Sequence, residues 1–361
     1  MKMPTDAIRE EIQKNGAIPF ARFMELALYC PETGYYERNQ DNVGRAGDFI
    51  TSVSVGSLFG ELLAFQFSEW LEELRIANCK LRVVEAGAHD GKLAADILRW
   101  LQVWRPQLFA EIEYWILEPS PARQQWQREI LKPFSNVRWF GGIDDLKLKT
   151  QNSKPSGVLF GNELLDAFPV RRLGWDARGK KWFEWGVTLV GEKFSWTRLE
   201  NSKFEICNSE LEAVLPDSYT IETSPAAEKW WCEAAEILAQ GRLLTIDYGF
   251  TAEEQFSPAR VNGTLRAYSK HHVTDDLLAH PGEQDLTAHV NFSAIQKTGE
   301  VAGLKTELFC TQPQFLTRVL QRVAKEKSFA NLQPKAVRQF QTLTHPEHLG
   351  RAFRVLVQSR T

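Results

Sequence analysis

The stretch that most constrains this chain is Leu81-Arg82-Val83-Val84-Glu85-Ala86-Gly87-Ala88-His89-Asp90-Gly91, which runs directly into Lys92-Leu93-Ala94-Ala95-Asp96-Ile97-Leu98. A short β-type apolar run ends in an acid and a glycine-bearing turn follows. Leu93, Ile97, Leu98 and Leu101 then recur at helical spacing. That order predicts a strand, a tight turn and a helix, the opening unit of a nucleotide-type α/β domain. Glycine in such a turn allows positive φ and a close approach of ligand to backbone. The start of the helix offers unpaired N–H groups to a carboxylate or phosphate. A dinucleotide fingerprint counted from Gly87 needs glycines at 89 and 92; His89 and Lys92 stand there, which disfavours a nicotinamide or flavin dinucleotide.

The 361 residues, 43% of them hydrophobic, suffice for one large α/β domain with insertions or for two domains. A net charge of −3 gives no reason to expect nucleic acid as a partner. Cysteines 30, 79, 207, 232 and 310 stand apart with no Cys-x-x-Cys, so neither a zinc site nor a disulfide framework is expected, and a reducing compartment is. Residues 1–16 mix acids with bases and show neither an apolar signal core nor an Arg/Ser-rich, acid-poor transit pattern. No stretch approaches a membrane span. These features together give a cytoplasmic expectation.

In chain order, Ile8 and Ile12 share a helical face, and Pro19 precedes a helix through Phe20, Phe23, Met24, Ala27 and Leu28. The polar, glycine-rich run from Gly44 to Ser52 leads into an amphipathic helix from about Gly56 to Leu74. That run reads either as a surface loop capping the helix or as a loop laid over the glycine turn. Ile112 to Leu117 is a second buried strand ending at Glu118, where an acid can accept from both ribose hydroxyls or merely cap a helix. Val137 to Phe140 is a third strand, followed by Gly141-Gly142-Ile143-Asp144. Gly157 to Phe160 is a fourth; it leads to Asn162, Glu163 and Asp166, placed at the carboxyl edge where open α/β sheets bind ligands. The plainer reading of that trio is a capping box with solvated acids.

Residues 171–222 alternate like antiparallel hairpins and form an insertion. Ser224-Pro225 starts a helix expected to run through Gln240, with Gly241 as its stop. Leu243 to Asp247 is a fifth strand, Leu304 to Phe309 a sixth and Phe353 to Val357 a closing one, with a helix from Phe315 to Ala324. His271, His272, His280 and His289 lie in a polar stretch but no pair has i, i+4 spacing, so no metal is expected. The organisation expected is an N-terminal helical segment, 1–46, and a ligand-binding domain, 47–361, with insertions near 171–222 and 255–295.

The turn, an acid two residues before Gly87 with Gly91 four residues after it, resembles the S-adenosylmethionine (SAM) turn of class I methyltransferases, with His89 in place of the middle glycine. Seven strands, the last one antiparallel, likewise resemble the class I methyltransferase sheet. The fold class expected is therefore α/β: a Rossmann-like seven-stranded sheet with a helical N-terminal segment and a β-hairpin insertion. Ordered segments extend the likeness: 23–29 with 34–36, Gly47-Asp48-Phe49-Ile50-Thr51-Ser52, 58–61, Glu85-Ala86-Gly87, 162–170, Ile246-Asp247-Tyr248-Gly249, 264–268 and Asp285-Leu286-Thr287-Ala288. Through them the chain resembles the MidA-like methyltransferases, whose mitochondrial members methylate a protein arginine and assist complex I assembly.

The resemblance implies SAM as cofactor and a protein substrate or assembly partner. It also implies cofactor contacts from Asp48, Thr51, Ser52, Glu85, Gly87, Ala88, Gly91, Glu118, Asp144 and Asn162. A guanidinium is cationic and a poor nucleophile, so carboxylates are needed to grip its fork. Glu163 and Asp166 are the catalytic candidates, with Asp247 a third. Three positions depart from the family pattern: His89, Val53-Ser54 where Pro-Glu is usual, and Asn291 where Asp is usual. The alternatives are a SAM-binding assembly factor without turnover and, already disfavoured, a nicotinamide oxidoreductase.

Overall fold

The computed structural model describes residues 2–38, 51–74, 80–151, 153–199, 215–257, 260–269, 272–274, 276–323, 333–350 and 352–361. Seven strands form the path of the main sheet, β1 (Leu81–Ala86), β2 (Glu113–Leu117), β3 (Val137–Phe140), β4 (Ser156–Asn162), β5 (Gln240–Phe250), β6 (Lys305–Thr311) and β7 (Phe353–Arg360), and the two-residue strand Val290–Asn291 joins the end of β5 as an eighth. Their spatial order is β6-β7-β5-β4-β1-β2-β3. The first five pair in parallel, whereas β7 runs antiparallel between β5 and β6. The seven strands expected from the sequence are present.

Alternation along each strand sorts its side chains between two cores. Val83, Tyr114, Ile116, Val158, Phe160, Leu244 and Ile246 face helices Leu58–Glu73, Lys92–Trp104 and Gln312–Val323. Val84, Trp115, Leu117, Leu159 and Leu243 face helices Ile143–Lys149, Pro225–Ile237 and Phe292–Val301. Strands apolar on both faces are what a parallel sheet covered by helices requires.

Above the carboxyl edge lies a third core. Helices Pro4–Asn15 and Phe20–Tyr29 bury Ile8, Ile12, Phe20 and Phe23 with Val170, with Val187 of the insertion, and with Leu265, Ala267 and Leu286. Within the hairpin insertion expected at 171–222, Lys181–Val190 forms one strand, which takes Ile18–Pro19 on one side and Lys193–Leu199 on the other. The polar stretch after 265 folds as a three-stranded sheet of Arg266–Ser269, His272–Thr274 and Asp285–Thr287.

One expectation is corrected here. The helix from Ser224 ends at Ile237, and Gly241 is the second residue of β5 rather than a helix stop. Its φ is +126°, and a Cβ built there falls 1.9 Å from the Gly157 carbonyl oxygen. Gly241 pairs with Gly157 in register, so glycine is required because two strands start in unusually close contact.

Candidate functional site

The carboxyl ends of the parallel strands open into a cavity of about 1230 Å³. Its floor is the glycine turn, where Glu85, Gly87, Ala88 and His89 all line the wall. Glu85 accepts the Tyr114 hydroxyl at 2.6 Å; burial, acting against that bond, pushes its carboxyl up to about 7. His89 holds φ at +46°, a left-handed conformation uncommon for a non-glycine residue, and its Nε2 is buried without a partner among the described residues. Asp90 accepts the Lys92 N–H at 3.0 Å, bracing the turn just before the helix starts. Gly91 does not line the cavity. A Cβ there would sit 3.3 Å from the Gln127 Cα, so the glycine lets helix Pro121–Leu131 pass close behind the turn.

Glu118, at the end of β2, is buried against the cavity and burial raises its carboxyl. One oxygen accepts the Ser120 N–H at 3.0 Å and the other accepts Gln127 Nε2 at 3.2 Å. Each oxygen keeps capacity for another donor, as a vicinal diol needs. Asp144 stands at the rim with its side chain 95% exposed, at the start of helix Ile143–Lys149. Thr51 lines the opposite wall, while Ser52 lies behind it: its N–H donates to Glu163 and its hydroxyl to Gln312. Asp48 lies outside the described residues.

The loop after β4 carries the acids. Glu163 also has positive φ, +51°, and its N–H donates to the Ile246 carbonyl. Its Oε1 accepts from the Ser52 N–H and from Asn162 Nδ2, both at 3.2 Å, whereas Oε2 is buried without a partner among the described residues. Burial first, then the neighbouring Asp247, pushes the Glu163 carboxyl up to about 8. Asn162 Oδ1 is a second buried atom at this edge without a partner among the described residues. Asp166 lines the same cavity; burial, with Asp247, Asp285 and Glu163 nearby, drives it well above the usual carboxylate range. Carboxyls buried this close together cannot all ionise.

Asp247, expected as a third catalytic acid, stands behind the cavity wall instead. Its Oδ2 accepts the N–H groups of Leu164, Leu165 and Asp166 at 3.1, 2.8 and 3.4 Å, and Oδ1 accepts that of Tyr248. It shapes the acidic loop by capping its backbone. Asn291, where the family pattern has Asp, caps helix Phe292–Val301 by accepting from Ala294 and lies away from the cavity. Val53 and Ser54 do line it.

Sequence reasoning missed two wall residues, Asp285 and Arg123. Asp285 is buried and accepts the Tyr36 hydroxyl at 2.8 Å, facing the same cavity as Asp166. Arg123 donates to the Tyr36 carbonyl at 2.9 Å and lies over the Tyr36 ring. The available signals were the tyrosine pair at 35–36 and the acid opening Asp285-Leu286-Thr287-Ala288, neither of which announces a pairing 249 residues apart.

A sequence profile described as S-adenosyl-L-methionine-dependent methyltransferase matches residues 62–310. The chain belongs to this methyltransferase family. A crystal structure of a COG1565 superfamily member from Burkholderia thailandensis, bound to S-adenosyl-homocysteine, is 32% identical. It superposes with a TM-score of 0.83 over 99% of this chain and 92% of that one. A protein arginine methyltransferase NDUFAF7 homolog, mitochondrial, from Drosophila melanogaster is 28% identical over 97% of this chain and 83% of its own length. The protein arginine methyltransferase NDUFAF7, mitochondrial, of Danio rerio is 27% identical over 96% and 84%.

The residues of this methyltransferase fit SAM as its cofactor. The cavity is large, Glu118 retains acceptor capacity at the strand end, and the wall offers polar atoms on His89 and Asn162 that have no partner among the described residues. The cytoplasmic expectation is withdrawn, because these relatives are named as mitochondrial proteins.

Proposed function

We propose that this methyltransferase methylates an arginine side chain of a protein, with Glu163 and Asp166 receiving the guanidinium. The names of the curated relatives, protein arginine methyltransferases, support this acceptor. The observation that carries it is Glu163: a buried carboxyl in a cavity wall, held by Ser52 and Asn162 through one oxygen and without a partner among the described residues at the other.

SAM supplies an electrophilic methyl group on a sulfonium, for in-line displacement. Thr51, Glu85, Gly87, Ala88, Glu118, Asp144 and Asn162 are the residues that hold it, with Glu118 on the ribose. The chain's own work is positioning and exclusion of water. Glu163 Oε2 accepts one guanidinium N–H, and Asp166 and Asp285 present further carboxyls across the cavity. A cation arriving among raised carboxyls favours their ionised form, so binding and deprotonation assist one another. When the nitrogen gains its methyl group it loses a proton, and Glu163 Oε2 is placed to take it.

Glu163→Gln preserves size and removes the charge. Methyl transfer from labelled SAM to proteins should fall about a hundredfold or more, while calorimetric affinity for S-adenosylhomocysteine stays within about twofold. Label recovered as methylarginine from acid-hydrolysed protein identifies the acceptor. Label confined to lysine, histidine or small molecules sinks the arginine assignment. Equal loss of cofactor affinity in the variant would move Glu163 into the cofactor site.

A further inference from the structure

Behind the glycine turn lies a side chain that neither the resemblance nor the proposed mechanism uses. Gln127, on helix Pro121–Leu131, is fully buried. Its Oε1 accepts the Trp139 indole N–H at 3.0 Å. An indole nitrogen only donates, so this bond fixes which end of the amide is oxygen and leaves the NH₂ group on the opposite side. Both hydrogens of that group are used: Nε2 donates to the His89 carbonyl at 3.0 Å and to Glu118 Oε2 at 3.2 Å. A single amide therefore ties the turn to the acid at the end of the next strand, across two βα units.

The two acceptors are the positions where the site most needs support. His89 occupies a left-handed conformation that costs a non-glycine residue energy and persists only when its surroundings hold it. Glu118 is a carboxylate whose direction decides whether it meets a diol, and outer partners of this kind fix the orientation of the groups that touch the ligand. Gly91 leaves the space that brings Gln127 this close.

We propose that Gln127 is a positioning residue for cofactor recognition: it aims Glu118 at the ribose and holds the His89 turn open. The proposal rests on Glu118 being the ribose acid. The purified full chain is titrated calorimetrically with S-adenosylhomocysteine and with its 2′,3′-dideoxyribose analogue. The unmodified protein should prefer the hydroxylated compound by roughly 10- to 100-fold, the scale of a hydrogen bond to a charged group. In Gln127→Met the preference should shrink towards unity, because Glu118 is no longer aimed, while loosening of the turn weakens both compounds further. If Gln127→Met does not fold, Gln127→Asn carries the same expectation, since it keeps an amide one methylene too short to span both acceptors.

A purely structural role for Gln127 would weaken both compounds by the same factor and leave the preference intact, which overturns the proposal. Glu118→Ala separates the two ways of failing. If that variant loses the preference while the Gln127 variants keep it, Gln127 does not aim Glu118. If Glu118→Ala keeps it too, the ribose assignment itself is wrong and the proposal falls with it.

Discussion

Glu163 unites three costs at one residue: a left-handed backbone, a buried carboxyl raised to about 8, and an oxygen without a partner among the described residues. Strain of this kind, with a raised acid, gathers at functional sites. Its sign can be tested. The raised acid is protonated in the free enzyme at neutral pH and grips a cation only when ionised, so kcat/KM should rise with pH through about 8. Glu163→Gln should lack that limb; an unchanged profile would assign the titration elsewhere. For stability the direction reverses. The folded protein holds this proton more tightly than the unfolded chain, so the stabilisation present below about 4.5 is lost as pH rises towards about 8. Glu163→Gln should flatten urea midpoints across that window.

Glu163, Asp166 and Glu118 were legible because acids at the ends of predicted strands fall on one edge whatever the details. Asp247 was misread for the same reason. The pattern places it at that edge without telling a carboxyl that faces the cavity from one that caps a backbone. Gln127 was invisible: in sequence it is one polar residue of an amphipathic helix, and its partners are His89, Glu118 and Trp139.

Among the elements, the main strands were legible because each is a short apolar run closed by turn residues, as burial on both faces demands. The insertion was harder. Lys181–Val190 is one continuous strand through Gly186, flanked by Ile18–Pro19 and by Lys193–Leu199, and its partner near residue 18 lies far away in sequence. Gly241 misled, since a glycine after a helical run ordinarily reads as a stop. Its true role predicts a large effect. Gly241→Ala places a methyl group 1.9 Å from the Gly157 carbonyl, and the strands must part to admit it. We expect a loss of at least ~2 kcal/mol in urea unfolding, in the range of backbone and overpacking substitutions. A change below about 0.5 kcal/mol would mean that β5 does not start where described.

At the scale of the whole molecule, the main sheet and its helices supply the cavity floor, and the third core of N-terminal helices and inserted strands supplies the roof. Tyr36 spans the two, since Arg123 on the floor meets its carbonyl and ring while Asp285 in the roof meets its hydroxyl. Ligand bound between floor and roof should stabilise both together. At about 100 times its Kd, S-adenosylhomocysteine should add about 2.7 kcal/mol and raise a single melting transition by a few degrees. Two transitions, only one of them ligand-sensitive, would show the roof melting separately.

The placement of β7 carries a consequence for how the chain is made. The strand inserted between β5 and β6 comes last of the seven, so β6 reaches the sheet only through a segment synthesised after it. While translation proceeds from Thr311 to Arg360, β5 presents an unpaired flank and β6 has no docking place. At roughly 5–20 residues per second that interval lasts seconds. Open strand flanks of this sort invite wrong pairing. Ribosome-arrested chains stopped at Thr311 should remain protease-sensitive around β5, and the released chain that includes Phe353–Arg360 should be resistant. Assembly of this sheet is thus gated by translation, and a ribosome-associated chaperone would have those seconds in which to act.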